Sequence, residues 1–248
     1  MEGTIAASGL RDVIAPATAL VNEAVLTASY EEMQLQALSA DKNAVVTTTV
    51  AIDEFDAYSA ETSAIGVRVD ALDAYLKLVD PASPVQIRTP PHSDSIRVIA
   101  PDLVVNSDGI DGKNIRQQTG WTDRQDSFRF SCRSNARSLR RSLEAADLCG
   151  PSITINADRD DSVEFTATGE ADDMRCRVTG DVITEHPEPP VKPTYPVEKL
   201  REMHQSLYTR TDFLTFEVNI EGVLTMSGKH VETSAITRFA LAPLSSDS

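Results

Sequence analysis

The stretch that decides the fold is NARSLRRSLEAADLCGP followed by SITINADRDDSVEFTATGEADDMRCRV, which together are residues 135–178. The first half predicts an amphipathic helix, because its apolar side chains recur every three or four residues. These side chains are Leu139, Leu143 and Ala146. Gly150 and Pro151 follow, and such a pair is typical of a helix end. The other face carries three arginines and Glu144, so only one face is suited to a core.

The second half predicts three short antiparallel strands, because apolar and polar residues alternate in each of them. Turn-forming residues at 158–161 and 169–173 separate the strands. The side chains expected to face inward are Ile153, Ile155, Val163, Phe165, Ala167, Met174, Cys176 and Val178. One helix followed by a meander of strands is therefore the basic unit.

A similar unit occurs earlier in the chain, about 130 residues before. Residues 8–21 predict a helix that bends or restarts at Ala15, because Pro16 removes a helical hydrogen bond. The elements expected around this duplication are strands at 24–29, 33–39 and 44–52 and a second helix at 70–77, echoed at 197–203. The sequence thus predicts an α+β fold of two tandem like domains, with helices on one face of antiparallel sheets.

A polar, glycine-bearing run without periodicity, residues 107–125, divides the chain. Loops of this length are usually linkers or functional segments. We therefore expect a first domain over 1–106 and a second over 126–248. Asp70 is expected to cap the second helix, and 54–61 to form a polar turn. Further strands are expected at 63–68, 85–88, 95–100, 103–106, 213–222, 223–227 and 236–241.

Four short motifs resemble one protein family. VEFTATGE at 163–170 resembles a hairpin of the sliding clamps, the archaeal and eukaryotic homologues of proliferating cell nuclear antigen. The other matches are EAAD at 144–147, IRQ at 115–117 and LAP at 241–243. The resemblance covers the whole chain in order. It implies a ring of three subunits, each with two like domains, whose helices line a central hole and whose sheets form the outside.

The composition of the 248 residues is acidic, with a formal net charge of −15. Lysine is scarce beside arginine. Acidic, lysine-poor chains resemble proteins of salt-loving archaea or of their viruses, although acidity by itself indicates only a solvated surface. No apolar run approaches the roughly 18 residues of a membrane span, and no signal-peptide pattern opens the chain. We expect a cytoplasmic protein whose three cysteines are buried free thiols.

The sequence contains few residue patterns that are typical of enzyme active sites. It has no phosphate-binding loop, and its histidines are scattered; His204 is interpreted as structural. Residues 156–160 open like a calcium loop, but Asp161 stands where the loop needs glycine and Ala167 where it needs glutamate. We therefore expect a hairpin turn there, no metal, no cofactor and no catalysis.

The basic residues of the predicted helices are the candidate DNA-binding set. They are Arg11, Lys77, Arg137, Arg140, Arg141, Lys199 and Arg201. On their own they indicate only a solvated helix face. Four helices that line one hole, as the resemblance implies, would make them a sequence-independent track for phosphates. Glu144, Glu198 and Glu202 dilute this charge, so the hold on DNA should be loose.

The resemblance also implies two protein-binding regions. Subunits are expected to join through edge strands near Leu103 and Val105 and near Arg175 and Arg177. The pocket for the clamp-binding peptides of DNA polymerase, the clamp loader and other enzymes is expected at Leu38, Val45, Ile115, Trp121, Ala240, Ala242 and Pro243. Trp121 either closes over the peptide or packs on its own sheet. Residues 186–196, HPEPPVKPTYP, form either a rigid surface loop or a ligand for another protein.

These features predict a homotrimeric processivity factor that encircles duplex DNA and tethers replication and repair enzymes. Two alternatives remain at this point. The chain is either one subunit of a ring of unlike subunits, or an acidic interaction protein that does not encircle DNA. A mimic of nucleic acid would carry acidic rather than basic helix faces.

Overall fold

The computed structural model describes residues 1–61, 63–89, 95–111, 115, 128–159, 162–184 and 192–244. The chain divides into two compact units. Residues 1–118 and 229–237 form the first unit, and residues 119–228 and 238–248 form the second. The domain limits expected from the sequence, 1–106 and 126–248 with a connector over 107–125, stay a prediction.

In the described residues, the first half of the chain contains two helices and nine strands. The helices are α1 Ala7–Ile14 and α2 Val69–Leu76. The strands are β1 Glu2–Ala6, β2 Glu23–Ala28, β3 Glu32–Leu38, β4 Ala44–Ala51, β5 Ala57–Ser59, β6 Ser63–Arg68, β7 Pro84–Arg88, β8 Ser95–Ile99 and β9 Val104–Asp108. Short 3-10 helices occupy Ala15–Ala19 and Ile52–Glu54.

The second half repeats this order of elements. The helices are α3 Ala136–Cys149 and α4 Val197–Tyr208. The strands are β10 Phe128–Asn135, β11 Ser152–Arg159, β12 Ser162–Thr168, β13 Asp173–Thr179, β14 Asp181–Thr184, β15 Thr194–Pro196, β16 Phe213–Asn219, β17 Leu224–Lys229 and β18 Ile236–Leu241. In both halves a strand, a helix, five strands, a helix and three strands follow one another.

Strand pairing confirms the duplication. In the first unit β5, β1, β7, β8 and β9 form one antiparallel sheet, and β4, β3, β2 and β6 run side by side in another. In the second unit the order β14, β10, β16, β17 matches the first of these, and β13, β12, β11, β15 matches the second. The predicted α+β fold of two like domains is therefore confirmed.

The helices bury the faces that the sequence predicts. On α1 the side chains of Leu10, Val13 and Ile14 are almost fully buried, and α3 buries Leu139, Leu143 and Ala146 in the same way. The α1 helix ends at Ile14, and a 3-10 helix with Pro16 in its first turn continues from Ala15. This is the expected effect of a proline, which lacks the N–H that a longer α-helix would need.

The turn after β12 depends on a close backbone approach at Gly169. A Cβ atom at this position would lie 1.9 Å from the carbonyl oxygen of Cys149, at the end of α3. Any side chain at position 169 would therefore push the meander away from the helix.

The Asn135 side chain starts α3 by accepting a hydrogen bond of 2.8 Å from the Arg137 backbone N–H.

Several sequence predictions about local structure were wrong. Asp70 does not cap α2: the N-cap position belongs to Arg68, and no side chain caps the helix. Residues 57–59 form β5, although only a polar turn was expected there, and β14 was not predicted at all. Leu103 precedes β9 rather than lying in it. These short elements depend on pairing with distant strands, which local sequence patterns do not encode.

Two further corrections concern side-chain burial. Met174 and Cys176 are only half-buried, although the alternation predicted that both face inward. Cys132 is fully buried, whereas Cys149 is also half-buried, so one of the three free thiols matches the expectation. Among the described strands β13 is the last of its sheet, and the side chains of an edge strand are less completely covered than those of a central strand.

The described part of the expected connector begins as ordered structure. Residues 107 and 108 still belong to β9. Ile110 then forms two backbone hydrogen bonds with Gly66 on β6, of 2.9 and 3.0 Å. A Cβ atom at Gly66 would lie 2.5 Å from both the Ile110 carbonyl oxygen and Ile115 Cδ1, so only glycine allows this approach. The rest of the expected connector, residues 112–114 and 116–125, lies outside the described residues.

Candidate nucleic-acid interface and assembly edges

In the first unit, the two basic residues of the candidate DNA track bind one carboxylate. Arg11 Nε on α1 donates to Asp73 Oδ1 on α2 at 2.8 Å, and Lys77 Nζ lies 2.6 Å from Asp73 Oδ2. Burial opposes ionisation of the Asp73 carboxyl, but the hydrogen bonds from Lys77 and Arg11 outweigh it and hold its pKa below the usual value. Both cations are therefore engaged inside the unit.

In the second unit, the candidate cations Arg140 and Arg201 are also paired with acids. Arg140 Nε donates to Glu144 Oε1 at 2.7 Å, one helical turn along α3. Its guanidinium carbon lies 5.3 Å from the centre of the Tyr208 ring on α4, a cation–π distance. Arg201 on α4 pairs with Asp147 on α3 and so links the two helices. All four of these charged side chains remain about half exposed to solvent.

The other two arginines of α3 differ from Arg140 and Arg201. Arg137 and Arg141 are exposed on α3, and within the described part of the chain no acidic group forms an ion pair with either guanidinium. Lys199 is half-buried on α4. Among the candidate cations of the second unit, Arg137 and Arg141 are thus the exposed arginines without an acidic partner in the described residues, and they lie one helical turn apart.

Sequence reasoning missed two members of this charge network, Asp73 and Asp147. The spacing of Asp73 and Lys77, four residues apart on one helix, was a signal that could have identified the first. Asp147 binds a cation on a different helix, so no local spacing points to it. Glu202 is one of the acids expected to weaken the positive charge of the helices. Its pKa is raised, chiefly because it is partly desolvated and secondarily because Glu198 repels its charge.

A groove of 380 Å³ opens between α3 and α4 of the second unit. It is lined by Arg140, Leu143, Glu144, Arg201, His204, Gln205, Tyr208 and Thr209. His204 is 4% exposed, and its Nε2 lies 2.7 Å from the Ala136 carbonyl oxygen. Burial lowers the His204 pKa, which fits the structural role expected for this residue.

The two strands expected to join subunits lie at the ends of their sheets. Among the described strands, β9 pairs with β8 alone in the five-stranded sheet, and β13 pairs with β12 alone. On β9 the Val104 side chain is 50% exposed, while Val105 is buried. Arg175 and Arg177 on β13 are exposed, and Arg175 also pairs with Glu164 on the adjacent strand. The subunit interface itself stays a prediction.

The expected peptide-pocket residues fall into both units. In the first, Leu38 on β3 lies opposite Val45 on β4; Leu38 is half-buried, but Val45 is 1% exposed. Ile115 is half-buried against Gly66. In the second, Ala242 and Pro243 are half-buried, and Ala240 is 2% exposed. Val45 and Ala240 therefore present almost no surface to a partner. Trp121 lies outside the described residues.

One acid–histidine–hydroxyl arrangement does occur in the first unit. His230 Nδ1 lies 3.2 Å from Asp12 Oδ2, and His230 Nε2 lies 2.9 Å from Thr237 Oγ1. The Thr237 hydroxyl is fully buried and also bonds to Thr48 at 2.9 Å. No substrate can reach it, so this network fixes the segment 229–237 rather than performing catalysis.

Metal and membrane sites were also sought in the described ranges. Among these residues, no group of three or more histidine, cysteine or acidic side chains is placed to hold a metal ion. The described part of the partial calcium-loop pattern lies in β11 and β12, which pair up to Arg159 opposite Ser162. No described helix has both the length and the apolar character needed to cross a membrane.

Comparisons with known proteins agree with this architecture. The family model of the proliferating cell nuclear antigen N-terminal domain matches residues 4–108. The DNA polymerase sliding clamp of Halobacterium salinarum is 20% identical over 218 residues, which are 88% of this chain and 85% of that protein.

Solved structures are similar over almost the full chain. A PCNA of A. fulgidus, solved with the C-terminal region of FEN-1 bound, has a TM-score of 0.82 at 18% identity and covers 100% of this chain and 99% of its own. The PCNA of Thermococcus kodakaraensis has a TM-score of 0.81 at 21% identity, with coverage of 98% and 99%. The PCNA2–PCNA3 complex of Sulfolobus tokodaii has a TM-score of 0.80 at 13% identity, again with coverage of 98% and 99%. The duplicated fold is thus similar to that of the sliding clamps, and residues 4–108 match the N-terminal domain of the proliferating cell nuclear antigen family in sequence.

Proposed function

We propose that this protein is a DNA polymerase sliding clamp, which encircles duplex DNA and keeps replication and repair enzymes close to their template. The observation that most supports this proposal is the duplication. Each half has two helices, and they stand at corresponding places in the same order of strands. Tethering of this kind raises the local concentration of an enzyme without chemistry in the tether. We accordingly propose no catalytic activity for the chain.

The DNA-binding part of the proposal rests on the basic helix residues. Cations that contact phosphates give affinity without reading sequence, which suits a protein that moves along DNA. Arg137 and Arg141 are the residues we propose for the main contacts, because they are exposed and carry no acidic partner in the described chain. Arg11, Lys77, Arg140, Lys199 and Arg201 are proposed to contribute less.

The assembly part of the proposal is a homotrimer joined through β9 and β13. Both strands stand at the end of the order of described strands in their sheets, and an edge strand is a ready template for pairing with another chain. The exposed groups also have opposite charge, since β9 ends at Asp108 and β13 carries Arg175 and Arg177. Leu103 and Val104 are proposed to supply apolar surface next to the backbone pairs, and the buried Val105 is proposed only to pack behind them.

A ring of unlike subunits is the second candidate. The similar PCNA2–PCNA3 complex of Sulfolobus tokodaii is built from two different chains, which supports this alternative. The mass of the isolated protein in molar salt separates the two. A particle near three times 26.9 kDa supports the homotrimer, and a stable monomer at micromolar concentration contradicts it.

The partner part of the proposal is a short peptide from polymerase, clamp loader or repair enzymes. The similar PCNA of A. fulgidus was solved with the C-terminal region of FEN-1 bound, which supports a peptide mode of binding. Leu38, Ile115, Ala242 and Pro243 are half-buried apolar residues that can still offer surface to such a peptide. Val45 and Ala240 are buried, and we propose that they only pack behind the residues that contact the peptide. We propose that the fluorescence of Trp121 changes when the peptide binds.

The cellular setting is proposed from composition. A net charge of −15 with little lysine suits a salt-rich cytoplasm, where a strongly hydrated acidic surface keeps a protein soluble.

The decisive test of function is stimulation of a polymerase from the same source on a primed circular template. Reversal of Arg137 and Arg141 to glutamate should abolish the stimulation and leave the particle mass unchanged. Unchanged stimulation would remove the helices from the proposed DNA track.

A further inference from the structure

We propose that Glu144 and Asp147 act as built-in competitors of DNA phosphate, and that they set how tightly the clamp holds DNA. Each carboxylate occupies an arginine that would otherwise be free to contact a phosphate: Glu144 binds Arg140, and Asp147 binds Arg201. The inference rests on the proposed function, since it concerns the same helices. It adds a regulatory role for two acidic residues.

The geometry shows that this competition is specific. Arg140 Nε points at Glu144 Oε1 from 2.7 Å, and the Arg140 guanidinium also lies over the Tyr208 ring. Accepting this hydrogen bond, Glu144 raises the pKa of Arg140 above its usual value, so the pair favours the charged forms. Asp147 Oδ2 accepts a hydrogen bond from Arg201 Nη1 and so holds Arg201 across the helix pair. A phosphate that binds the same N–H group must displace the carboxylate, and a phosphate that binds the other N–H groups meets a guanidinium charge already partly balanced by the acid.

The exposure of the pairs shows that the competition is reversible. The side chains of Arg140 and Glu144 are both 54% exposed, and those of Arg201 and Asp147 are 44% and 41% exposed. Ion pairs at such exposure contribute little to stability, because water and salt screen them. A phosphate can therefore displace either carboxylate, but the displaced negative charge stays beside the DNA and weakens the new contact.

The acid of the first unit is different. Asp73 is 5% exposed and binds both Arg11 and Lys77, so it is held inside the unit and joins α1 to α2. Its removal would disturb the fold as well as the charge. Glu144 and Asp147 are exposed and can be neutralised without loss of packing, which makes them the residues that test the idea.

The test is the DNA affinity of the assembled protein carrying Glu144→Gln and Asp147→Asn together. Binding to a short fluorescent duplex is measured by anisotropy over a range of salt concentrations. We expect the double variant to bind several-fold more tightly at low salt. Its plot of log affinity against log salt should be steeper by about one for each released arginine, because each new phosphate contact releases counterions.

The matched control is the pair Glu31→Gln and Glu170→Gln. Both residues are exposed in turns between strands, so this variant makes the same change in net charge away from the helices. If the control tightens binding as much as Glu144→Gln with Asp147→Asn, net charge alone is responsible and the proposal is overturned. An unchanged affinity and salt slope in the helix variant overturns it as well. Solution mass and thermal unfolding check that every variant is assembled and folded.

A third variant separates this proposal from the proposed function. Arg137→Glu with Arg141→Glu should lose DNA binding whether or not the acids compete. Suppose the arginine variant loses DNA binding while Glu144→Gln with Asp147→Asn binds DNA like the wild type. Then the helices do bind DNA, but the two acids do not compete with phosphate. If the arginine variant binds DNA as well as the wild type, the helices are not the track, and the proposed function fails with the inference.

Discussion

Arg11 on α1 and Asp73 on α2 are joined by a hydrogen bond of 2.8 Å, and Lys77 binds the other oxygen of the same carboxylate. Asp73 is 5% exposed, so this clasp is a structural link between two helices as much as a feature of their charged surface. In the first unit, the candidate DNA-binding residues Arg11 and Lys77 thus bind an acidic side chain of the same unit and stabilise its fold. Arg137 and Arg141 in the second unit are not committed in this way.

Replacing Asp73 with asparagine should destabilise the protein by about 1–3 kcal/mol, because two hydrogen bonds to a charged group are weakened. The folded state lowers the Asp73 pKa below 3.8, so the stabilisation is complete above that value and is lost as the pH falls below it. Urea unfolding from pH 7 down to pH 3 measures both effects. The difference between wild type and variant should shrink at the acidic end; a constant difference would show that the charge of Asp73 is not the cause.

His204 should make the protein less stable as the pH falls below 6.5. Burial lowers the folded-state pKa of His204 relative to that value, so the folded protein takes up its proton less readily than the unfolded chain. Stability is therefore complete above pH 6.5 and declines toward the lower folded-state pKa. His204→Gln keeps a donor for the Ala136 carbonyl oxygen and should flatten this part of the pH profile. A profile that is the same in wild type and variant would assign the pH dependence to other groups.

Sequence patterns located the core of this fold because its helices and long strands carry periodic apolar residues. Leu139 and Leu143 on α3, and Phe165 on β12, are buried as their spacing predicts. The patterns failed at β5 and β14, which have few residues and gain their stability from pairing with β1 and β10. They also failed at Asp70, since a capping residue must stand just before the helix and Asp70 lies inside it.

The candidate site was predictable in part. Its basic residues stand on the helices that the sequence identified, because charged positions follow directly from an amphipathic pattern. Their partners did not follow: the Arg11–Asp73 and Arg201–Asp147 pairs join different helices and depend on packing between them. The burial of Val45 and Ala240 was missed for the same reason, since the covering of both faces of a strand is a tertiary property.

The three thiols should differ in reactivity. Burial, reinforced by the negative charge of Asp181, raises the pKa of the Cys132 thiol to about 12, so almost no thiolate is present at neutral pH. Cys149 and Cys176 are half-buried. A thiol reagent followed by peptide mass mapping should therefore modify Cys149 and Cys176 before Cys132 in the native protein, and all three alike in urea. Early modification of native Cys132 would contradict its burial.

Arg175→Glu or Arg177→Glu should weaken assembly, because either change places a negative charge on β13 where the proposed interface brings it near the acidic end of β9. Sedimentation at several protein concentrations measures the shift toward smaller particles, which should be largest at low salt. Lys229→Glu makes the same charge reversal at an exposed residue away from both strands and serves as the control. Unchanged assembly in both β13 variants would place the interface elsewhere.

Leu38→Glu should abolish binding of a clamp-binding peptide from the same source's polymerase. Leu38 is half-buried beside the fully buried Val45, so it is the member of this cross-strand pair that a partner can reach. Losing a buried leucine contact costs roughly 1.5–3 kcal/mol, which is a factor of about 10 to 100 in affinity. Calorimetry measures the loss, and the fluorescence of Trp121, the single tryptophan, gives a second reading. Leu78→Glu makes the same substitution at a leucine that is 75% exposed and should bind the peptide normally. If the peptide binds equally well to the Leu38→Glu protein, while particle mass shows that the protein is intact, the peptide site lies elsewhere on the clamp.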